Sequence, residues 1–414
     1  MLNKPSAFDG YPHKSPTGES KLLSTRLPIL VSPSLHQLPE QLDNAETLAR
    51  RPHINMLVHP ETVQVLKMRS RIDEHLDWFF RNAGHTKVST PLLAAGAGGA
   101  VARPFETVAT EMEGTRLNLR IAPELWLKRL LVGGIGRVYE IGPAFRNEGV
   151  DATHNPEFTV CEAYAPFSTL SDLMAMTEDL LRTLNKRLRE IRAEADLLTE
   201  SVVDLHEDAH SHGLFREDFK RLPFIPTIEN AIGRKLPNLG DPTVHQSLVD
   251  LFSDLSLPLP ANANLPRLLD ALCALYIEPL CTTPTFIISH PACLSPLSKS
   301  HTCPITNQQV ALRAELFIDG TEYANMYEEE NSPFAQREKF LQQLKYRSID
   351  GEGDGNTDID ESYLEALEWG LPPTGGWGLG VDRLVMLFTG MKRIGDVLPF
   401  GTLRNVVGLA QRQK

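Results

Sequence analysis

The spacing of hydrophobic positions predicts a long helix at the start of a folded core. Apolar residues recur every three or four positions over 65–79, as on the buried face of a helix. Gly84 then stands where such a helix would end, because glycine readily adopts the left-handed conformation of a helix C-terminus. Residues 117–121 alternate as a strand does, and a short helix is predicted over 124–131, before Gly133-Gly134.

A hairpin is predicted next, because two strand-like runs are separated by turn-forming residues. The first run covers 138–145, the polar turn includes Gly149, and the second run begins at Phe158. Side chains of a strand alternate between its faces, so the even-numbered residues from 158 to 164 are expected to share one face. That face would present an aromatic ring, a carboxylate and a phenol, with Arg146 entering from the partner strand. A guanidinium suits phosphate, although an exposed hairpin with solvated charges is an equally simple interpretation.

The remaining pattern mixes strands with long helices and shows no regular alternation of the two. A mainly antiparallel sheet flanked by helices is therefore expected. Residues 192–282 are of mixed character, rich in proline in places, and are interpreted as an inserted helical subdomain. The other predicted elements are helices at 170–191, 334–346, 363–369 and 381–388, and strands at 285–288, 310–318 and 323–329, the last two joined by a turn at Asp319-Gly320.

The glycine-rich segment 375–380, with the sequence GGWGLG, is predicted to be a loop before the helix at 381–388. It is not a dinucleotide-binding fingerprint, since that motif needs a preceding strand and an acidic residue about 20 positions further on. A loop of this kind leaves bare backbone on which a flat base could lie. Arg383 stands beside it, at the start of the helix.

Carboxylates concentrate on the predicted hairpin over 310–331. Glu315 and Glu322 flank its turn, and like charges held together are costly unless a cation lies between them. Oxygen ligands of this kind suit Mg²⁺, particularly when a substrate phosphate supplies further oxygens. The alternative is a solvated edge whose charges point apart. Glu124 begins its helix, where the helix dipole favours a carboxylate in any case.

Composition excludes several classes of protein. The 414 residues carry a net charge of −12, which argues against electrostatic coating of nucleic acid but leaves room for a local basic groove. No apolar run of about 18 residues is present, so no membrane-spanning helix is expected. The five cysteines include no close pair of the zinc-binding type and suggest a reducing compartment. Neither a signal peptide nor a transit peptide is evident in the first 26 residues.

Several segments of the chain form a recognisable set when taken in order and spacing. They are GGAVARPF, RIAPELWLKRLLVGGIGRVYEIG, FRNEG with THNPEFT, SPLSK, the spaced residues of E..N.Y.E.N, and GLPPTGGWGLGVDRL. Together they resemble the class II aminoacyl-tRNA synthetases, and within that class the lysyl-tRNA synthetases, most closely those of the mitochondrial type. The likeness covers roughly 48–404. It implies an α+β fold: a class II catalytic domain with a mainly antiparallel sheet flanked by helices.

The resemblance also implies roles for individual residues. Arg146 would bind the α-phosphate of ATP and Arg383 the γ-phosphate, and these two arginines would be the catalytic residues. Phe158 would stack on adenine, and Gly380 would let the nucleotide approach the backbone. Glu315 and Glu322 would carry Mg²⁺. The remaining implied ATP-binding residues are Glu148 and His154, and the implied lysine-binding residues are Gly99, Glu124, Glu162, Tyr164, Asn325 and Glu329.

The resemblance implies lysine–tRNA ligase activity with ATP, L-lysine and lysine tRNA as substrates, in a homodimer. Residues 48–410 would be the catalytic domain, whereas 1–47 match only the last part of an OB-fold anticodon-binding domain and a linker. Truncation and real loss of that barrel both stay open. So do two other functions: a lysine-activating ligase with a protein acceptor, and a non-catalytic paralogue. The mitochondrial matrix is the expected location, with the cytoplasm as the alternative.

Overall fold

The structure is a computed structural model of the whole chain. It describes residues 6–7, 9–32, 34–39, 42, 44–95, 102–112, 114–195, 214–349 and 359–410.

The strands lie in one large sheet and several small ones. They are β1 (Ser6–Ala7), β2 (Gly10–Lys14), β3 (Ser20–Ser24), β4 (Ile29–Leu30), β5 (Thr86–Lys87), β6 (Leu93–Ala94), β7 (Glu106–Val108), β8 (Arg116–Leu119), β9 (Val138–Phe145), β10 (Glu157–Pro166), β11 (Lys220–Pro223), β12 (Thr285–Ile288), β13 (Ser300–Thr302), β14 (Gln309–Ala311), β15 (Arg313–Ile318), β16 (Thr321–Glu328) and β17 (Thr374–Gly380).

Helices flank the large sheet. They are α1 (Ala45–Arg50), α2 (Pro52–Val58), α3 (Pro60–Asn82), α4 (Glu124–Val132), α5 (Leu170–Ala195), α6 (Phe224–Ile232), α7 (Val244–Asp254), α8 (Leu265–Tyr276), α9 (Pro333–Ile349), α10 (Glu361–Glu368), α11 (Val381–Thr389) and α12 (Leu403–Ala410), with 3₁₀ turns at Glu278–Leu280, Ala292–Leu294 and Ile394–Val397. No helix in the described ranges is long and apolar enough to cross a membrane.

The large sheet has eight strands in the order β11-β12-β15-β16-β17-β10-β9-β5. Neighbouring strands are antiparallel, except that β11 runs parallel to β12 and β5 parallel to β9. The predicted α+β class with a mainly antiparallel sheet is therefore confirmed. The predicted hairpin of β9 and β10 is also present, with Glu162 opposite Glu140 in its register.

The two faces of the large sheet are covered by different helices and to different extents. One face is covered by α3, α5 and α11, whose apolar side chains form a buried core with Cys161, Ala163 and Trp377. The other face carries helices α6, α7 and α8 at one end, where they pack on Ile287 and Phe317. That these helices are an inserted subdomain stays a prediction. Near the other end α4 and α10 pack together. Between these two helical blocks the second face is left open, and the cavity described below lies there.

The glycine-rich segment is a strand, and its prediction as a loop was wrong. Residues 374–380 form β17, which lies between β16 and β10 in the large sheet. Trp377 and Leu379 face the core, whereas the alternate positions Gly376, Gly378 and Gly380 line the cavity. The alternation of a strand is therefore present, but one of its two faces carries no side chains.

The predicted strand over 310–318 is divided in two. Residues of β14 pair with β13 in a small sheet, and β15 joins the large sheet after Leu312. The turn that follows is as predicted: Asp319 and Gly320 have φ of 49° and 66°. Positive φ at both central residues is typical of the tight turns that join antiparallel strands.

The N-terminal residues form two small ladders outside the large sheet, β1 with β4 and β2 with β3. Every residue of β2 and β3 is exposed, including Leu22 and Leu23. Short isolated strand pairs bury little apolar surface and are marginal alone. An OB-fold remnant over 1–47 stays a prediction.

Candidate active site

A cavity of about 810 Å³ lies on the open face of the large sheet. Its floor comes from β10, β15, β16 and β17, and the loop after β9 and the start of α4 contribute walls. Phe158, Val160, Glu162 and Tyr164 all line it, which confirms that the even-numbered residues of β10 share one face. The cavity has an arginine-rich end and a carboxylate-rich end.

Arg146 lies at the arginine-rich end, directly after β9. Its guanidinium carbon is 5.1 Å from the centre of the Phe158 ring. The Nε of Arg146 is buried and donates no hydrogen bond. An unpartnered buried donor is costly, so this nitrogen has an unmet need for an acceptor such as a phosphate oxygen.

Arg383, in the first turn of α11, reaches the same end from the opposite side. Its Nη1 donates to the backbone oxygen of Glu322 at 2.9 Å, and its Nη2 lies 3.0 Å from Nε2 of His154. His154 in turn contacts the carboxylate of Asp151 at 2.9 Å. Arg383 therefore links the loop between β9 and β10 to the hairpin of β15 and β16.

Asp382, the residue before Arg383, also lines the cavity and anchors the start of α11. Its Oδ1 accepts a hydrogen bond of 2.5 Å from Arg69 on α3, and its Oδ2 accepts one of 2.7 Å from the backbone of Thr159. Both partners are distant in sequence, and the carboxylate is buried. This interaction ties α11 to α3 and to β10.

Glu315 and Glu322 both line the cavity beside Arg383. Strict alternation would place Glu322 and Asn325 on opposite faces of β16. The register instead shifts, so that Leu316 pairs with Ala324 and Phe317 with Glu322, and one extra residue is accommodated. Such a β-bulge redirects side chains.

The two carboxylates differ in their surroundings. Burial disfavours the charge of Glu315, but Arg313 and then His290 outweigh burial and lower the pKa of Glu315 to about 2. Burial and then the charge of Glu315 raise the pKa of Glu322 above its ordinary value. A cation near both would relieve that repulsion. No cluster of three or more metal-ligating side chains occurs among the described residues. Two carboxylates leave coordination positions open, so Glu315 and Glu322 suit a cation that shares its ligands with a phosphate.

The opposite end of the cavity is a carboxylate chamber, which we define by the lining residues Glu124, Glu162, Tyr164 and Tyr327 and by the buried Glu329 behind them. The Tyr164 hydroxyl donates to Glu162 at 3.0 Å, and the Tyr327 hydroxyl donates to Glu124 at 2.6 Å. Burial and then the charge of Glu124 raise the pKa of Glu162 to about 8. Acids brought together in a dry site call for a cationic ligand.

Glu329 lies behind the chamber wall, and a residue that the sequence analysis missed is bound to it. Lys128 on α4 is fully buried and forms ion pairs with Glu329 and, at 2.6 Å, with Glu124. Burial disfavours its charge, but the two carboxylates outweigh burial and hold the pKa of Lys128 well above its usual value. The spacing of one helical turn between Glu124 and Lys128 could have indicated their ion pair from the sequence. No pattern in the sequence indicates the ion pair with Glu329, which lies 201 positions after Lys128.

Gly376 makes room for this arrangement. A Cβ at that position would lie 1.8 Å from Oε1 of Glu329 and 2.7 Å from Cε1 of Tyr164. Neither distance is possible between real atoms, so only glycine fits unless the chamber moves. At Gly378 the nearest atom would be 3.6 Å away, which is ordinary contact.

The structure brings nearly all of the predicted site residues to one cavity. Glu329 is the exception within the described ranges, since it lies behind the wall, and Gly99 lies outside the described residues. Those that line the cavity are Glu124, Arg146, Glu148, His154, Phe158, Glu162, Tyr164, Glu315, Glu322, Asn325, Gly380 and Arg383. The predicted roles of these residues stay predictions. Residues that the sequence analysis did not assign are Lys128, Arg69, His290, Arg313 and Asp382.

Comparison with known proteins agrees with this geometry. Residues 44–404 match the family model of class II tRNA synthetases (D, K and N). The chain is 39% identical over 401 residues to a protein of Schizosaccharomyces pombe named "Lysine--tRNA ligase, mitochondrial", covering 95% of this chain and 72% of that protein.

Two further relatives come from different kinds of organism. One, from Encephalitozoon cuniculi and named "Probable lysine--tRNA ligase, cytoplasmic", is 37% identical over 96% of this chain and 77% of its own length. The other, "Lysine--tRNA ligase" from the bacterium Carboxydothermus hydrogenoformans, is 37% identical over 95% and 77%. Because the family model matches most of the chain and these relatives share more than a third of its residues, the chain belongs to the class II tRNA synthetases of the D, K and N group.

Proposed function

We propose that this protein is an ATP-dependent lysine–tRNA ligase. It activates lysine as lysyl-adenylate and transfers the lysyl group to the 3′ end of lysine tRNA. The observation that carries the proposal is the carboxylate chamber at one end of a cavity whose other end holds Arg146 and Arg383. A nucleotide and a cationic amino acid would meet between them. The names of the relatives, at 37–39% identity, point to the same amino acid.

The first half-reaction needs placement and charge neutralisation more than acid–base chemistry. The carboxylate of lysine is already a nucleophile at neutral pH. It attacks the α-phosphorus of ATP, the bond to the bridging oxygen breaks, and pyrophosphate leaves with the electron pair. Arg146 offers an unpartnered Nε to the α-phosphate, and Arg383 binds the leaving phosphates.

The chamber holds the other end of the amino acid. The ammonium groups of lysine would bind the carboxylates of Glu162 and Glu124 and the tyrosine hydroxyls there. Asn325 adds an amide to the same lining. Phe158, already stacked against Arg146, would form one side of the adenine site. Fixing both reactants in one orientation removes much of the entropic barrier to their reaction.

Mg²⁺ is the metal that we assign to this site. Glu315 and Glu322 would hold it jointly with phosphate oxygens, and the ion would neutralise charge that develops on the phosphates. Arg313 and His290 keep the Glu315 carboxylate in place, through an ion pair and a contact of 3.0 Å, respectively.

Charging of a lysine tRNA transcript tests the full proposal. We expect radiolabelled lysine to become acid-precipitable with that transcript and not with an aspartate tRNA of equal length. This chain spans 72–77% of the length of the three relatives described above. Adenylate formation without any charging at high tRNA concentration would instead indicate another acceptor, such as a protein lysine.

We further propose a homodimer in the mitochondrial matrix. The mitochondrial relative in Schizosaccharomyces pombe supports the compartment, although other relatives are cytoplasmic or bacterial. For the dimer, support comes from family membership and from α3, which leaves Trp78 more than half exposed. Light scattering should give twice the chain mass, and fluorescence of a tagged protein expressed from its native gene should overlap a matrix marker.

A further inference from the structure

Lys128 is a cation buried inside a site that is built to receive a cation. It has no solvent exposure, and its Nζ lies 5.7 Å from the Tyr327 ring centre and 5.9 Å from that of Tyr363. An ammonium desolvated to this degree is expensive unless carboxylates compensate for it. The titratable groups that face it or its carboxylate partners are Glu124 on α4, Glu162 and Tyr164 on β10, Tyr327 on β16, Glu329 just after β16, and Tyr363 on α10.

The charge balance of the chamber depends on Lys128. Three carboxylates, Glu124, Glu162 and Glu329, supply three negative charges when ionised, and Lys128 removes one. Two remain. Lysine brings two ammonium groups, on its α- and ε-positions, while its carboxylate faces the arginine end. The chamber and the substrate therefore neutralise each other only if Lys128 is present.

Lys128 also determines which carboxylate oxygen of Glu329 is available to a ligand. The ion pair with Lys128 involves Oε2, and Oε1 lies beside Gly376 and Tyr164. Both oxygens are buried and neither accepts a hydrogen bond. A buried carboxylate oxygen with no donor is a place where a ligand donor is missing. A Cβ on Gly376 would lie against Oε1 of Glu329. Because Gly376 lines the cavity, Oε1 is directed towards the chamber.

We propose that Lys128 is a positioning residue for lysine recognition: it orients Glu329 and favours its ionised form, so that the second oxygen accepts the substrate side-chain ammonium. The inference rests on the proposed function and adds to it an internal cation that acts through Glu329. Burial and then the charge of Glu124 raise the pKa of Glu329, and the charge of Lys128 opposes that rise. Without Lys128 nothing would offset burial, and Glu329 would be protonated at neutral pH.

The test compares wild type, Lys128→Met and Lys128→Arg in lysine-dependent ATP–pyrophosphate exchange from pH 6.5 to 9. At pH 7 we expect Lys128→Met to raise KM for lysine by about tenfold or more, and KM for ATP by less than about twofold. The ratio of the KM for lysine of Lys128→Met to that of the wild type should fall as pH rises, because the extra proton is lost from the carboxylates. For Lys128→Arg, which keeps the charge, the ratio should not depend on pH.

Lys235→Met is the matched control. Lys235 pairs with the buried carboxylate of Glu229 at 2.6 Å, but in the predicted inserted subdomain. We expect this variant to leave both KM values unchanged.

The outcomes separate the two claims. A wild-type protein without lysine-dependent exchange overturns the proposed function and the inference with it. If the wild type is active, any of three results for Lys128→Met overturns the inference alone. They are an unchanged KM for lysine, a ratio of its KM for lysine to that of the wild type that does not vary with pH, and equal increases in KM for lysine and for ATP. If circular dichroism shows that Lys128→Met is unfolded, Lys128→Arg decides: a KM ratio that varies with pH overturns the inference, and a constant ratio supports it.

Discussion

Glu162 is the residue at which pH and substrate binding are most closely coupled. Its carboxyl lies in the carboxylate chamber, and burial together with Glu124 raises its pKa to about 8. In the free protein at pH 7 it is therefore mostly protonated. The ammonium of a bound lysine would favour the ionised form, so binding and proton release are linked.

The first prediction follows from this linkage. Lysine binding at pH 7 should release close to one proton, and the release should vanish above about pH 9, where Glu162 is already ionised. Titration calorimetry in two buffers of different ionisation enthalpy measures it directly. An observed heat that does not depend on the buffer at pH 7 would show that Glu162 is not the linked group.

The second prediction concerns stability. The folded-state pKa of Glu162 lies above its ordinary value of 4.5, so the native protein binds more protons than the unfolded chain between pH 4.5 and 8. Its contribution to the free energy of unfolding is therefore lost as pH rises through that window. Glu162→Gln should be more stable than wild type at pH 8.5, by a few kcal/mol as an order of magnitude, and equal to it near pH 4.5.

Thermal unfolding followed by circular dichroism at the two pH values checks this. Glu157→Gln, an exposed position on the same strand, is the control and should show no such difference. A Glu162→Gln variant that is less stable than wild type at pH 8.5 would contradict the account. Its lysine activation should meanwhile be lost, because the amide cannot supply the negative charge.

At the scale of elements, β17 shows how a strand whose cavity face carries only glycines makes room for a site. Its core face carries Trp377 and Leu379, which hold it in the sheet. Its other face carries glycines, so the floor of the cavity is backbone. Gly376 gives space to Glu329, and Gly380 ends the strand where α11 presents Arg383.

A third prediction uses two adjacent glycines that point to opposite faces of β17. Gly376→Ala places a methyl group against Glu329 and Tyr164, whereas Gly375→Ala places one 2.9 Å from the backbone oxygen of Ser168, on the far face. Both should lower stability by roughly 1–3 kcal/mol through overpacking. Only Gly376→Ala should also raise KM for lysine, by about tenfold or more. Equal KM effects in the two variants would mean that the chamber does not depend on that space.

Regular elements could be predicted well where one face is apolar. The helix α3 and the hairpin of β9 and β10 follow directly from periodicity, and Gly84 has the positive φ of 77° expected beyond a helix end. β17 was missed because glycines were interpreted as turn formers, although its tryptophan and leucine alternate. The bulge in β16 was also missed, since nothing in the local pattern shows an extra residue in a ladder.

At the scale of the whole molecule, the sheet acts as a frame with one closed and one open face. Helices α3, α5 and α11 bury the closed face, and helices α6, α7 and α8 cover part of the open one. Residues from distant parts of the chain are thereby fixed around one cavity. Arg69 and Asp382, 313 positions apart, show how tightly the frame connects its parts.

The site was predictable to the extent that its residues lie in contiguous motifs. Arg146, Phe158 and Glu162 belong to one hairpin, and Arg383 follows one strand. Their meeting in one cavity depends on the order of strands, which no local pattern gives. The ion pair of Lys128 with Glu329 and the contact of His290 with Glu315 belong to the same class of long-range detail.

The central claim is that this cavity activates lysine with ATP. The most direct measurement is ATP–pyrophosphate exchange with each of the twenty amino acids, supplied with Mg²⁺, alongside Arg146→Ala. We expect exchange with lysine to be at least about a hundredfold faster than with arginine, asparagine or aspartate, and to be lost in Arg146→Ala. No exchange with lysine, faster exchange with another amino acid, or full activity in Arg146→Ala would contradict it.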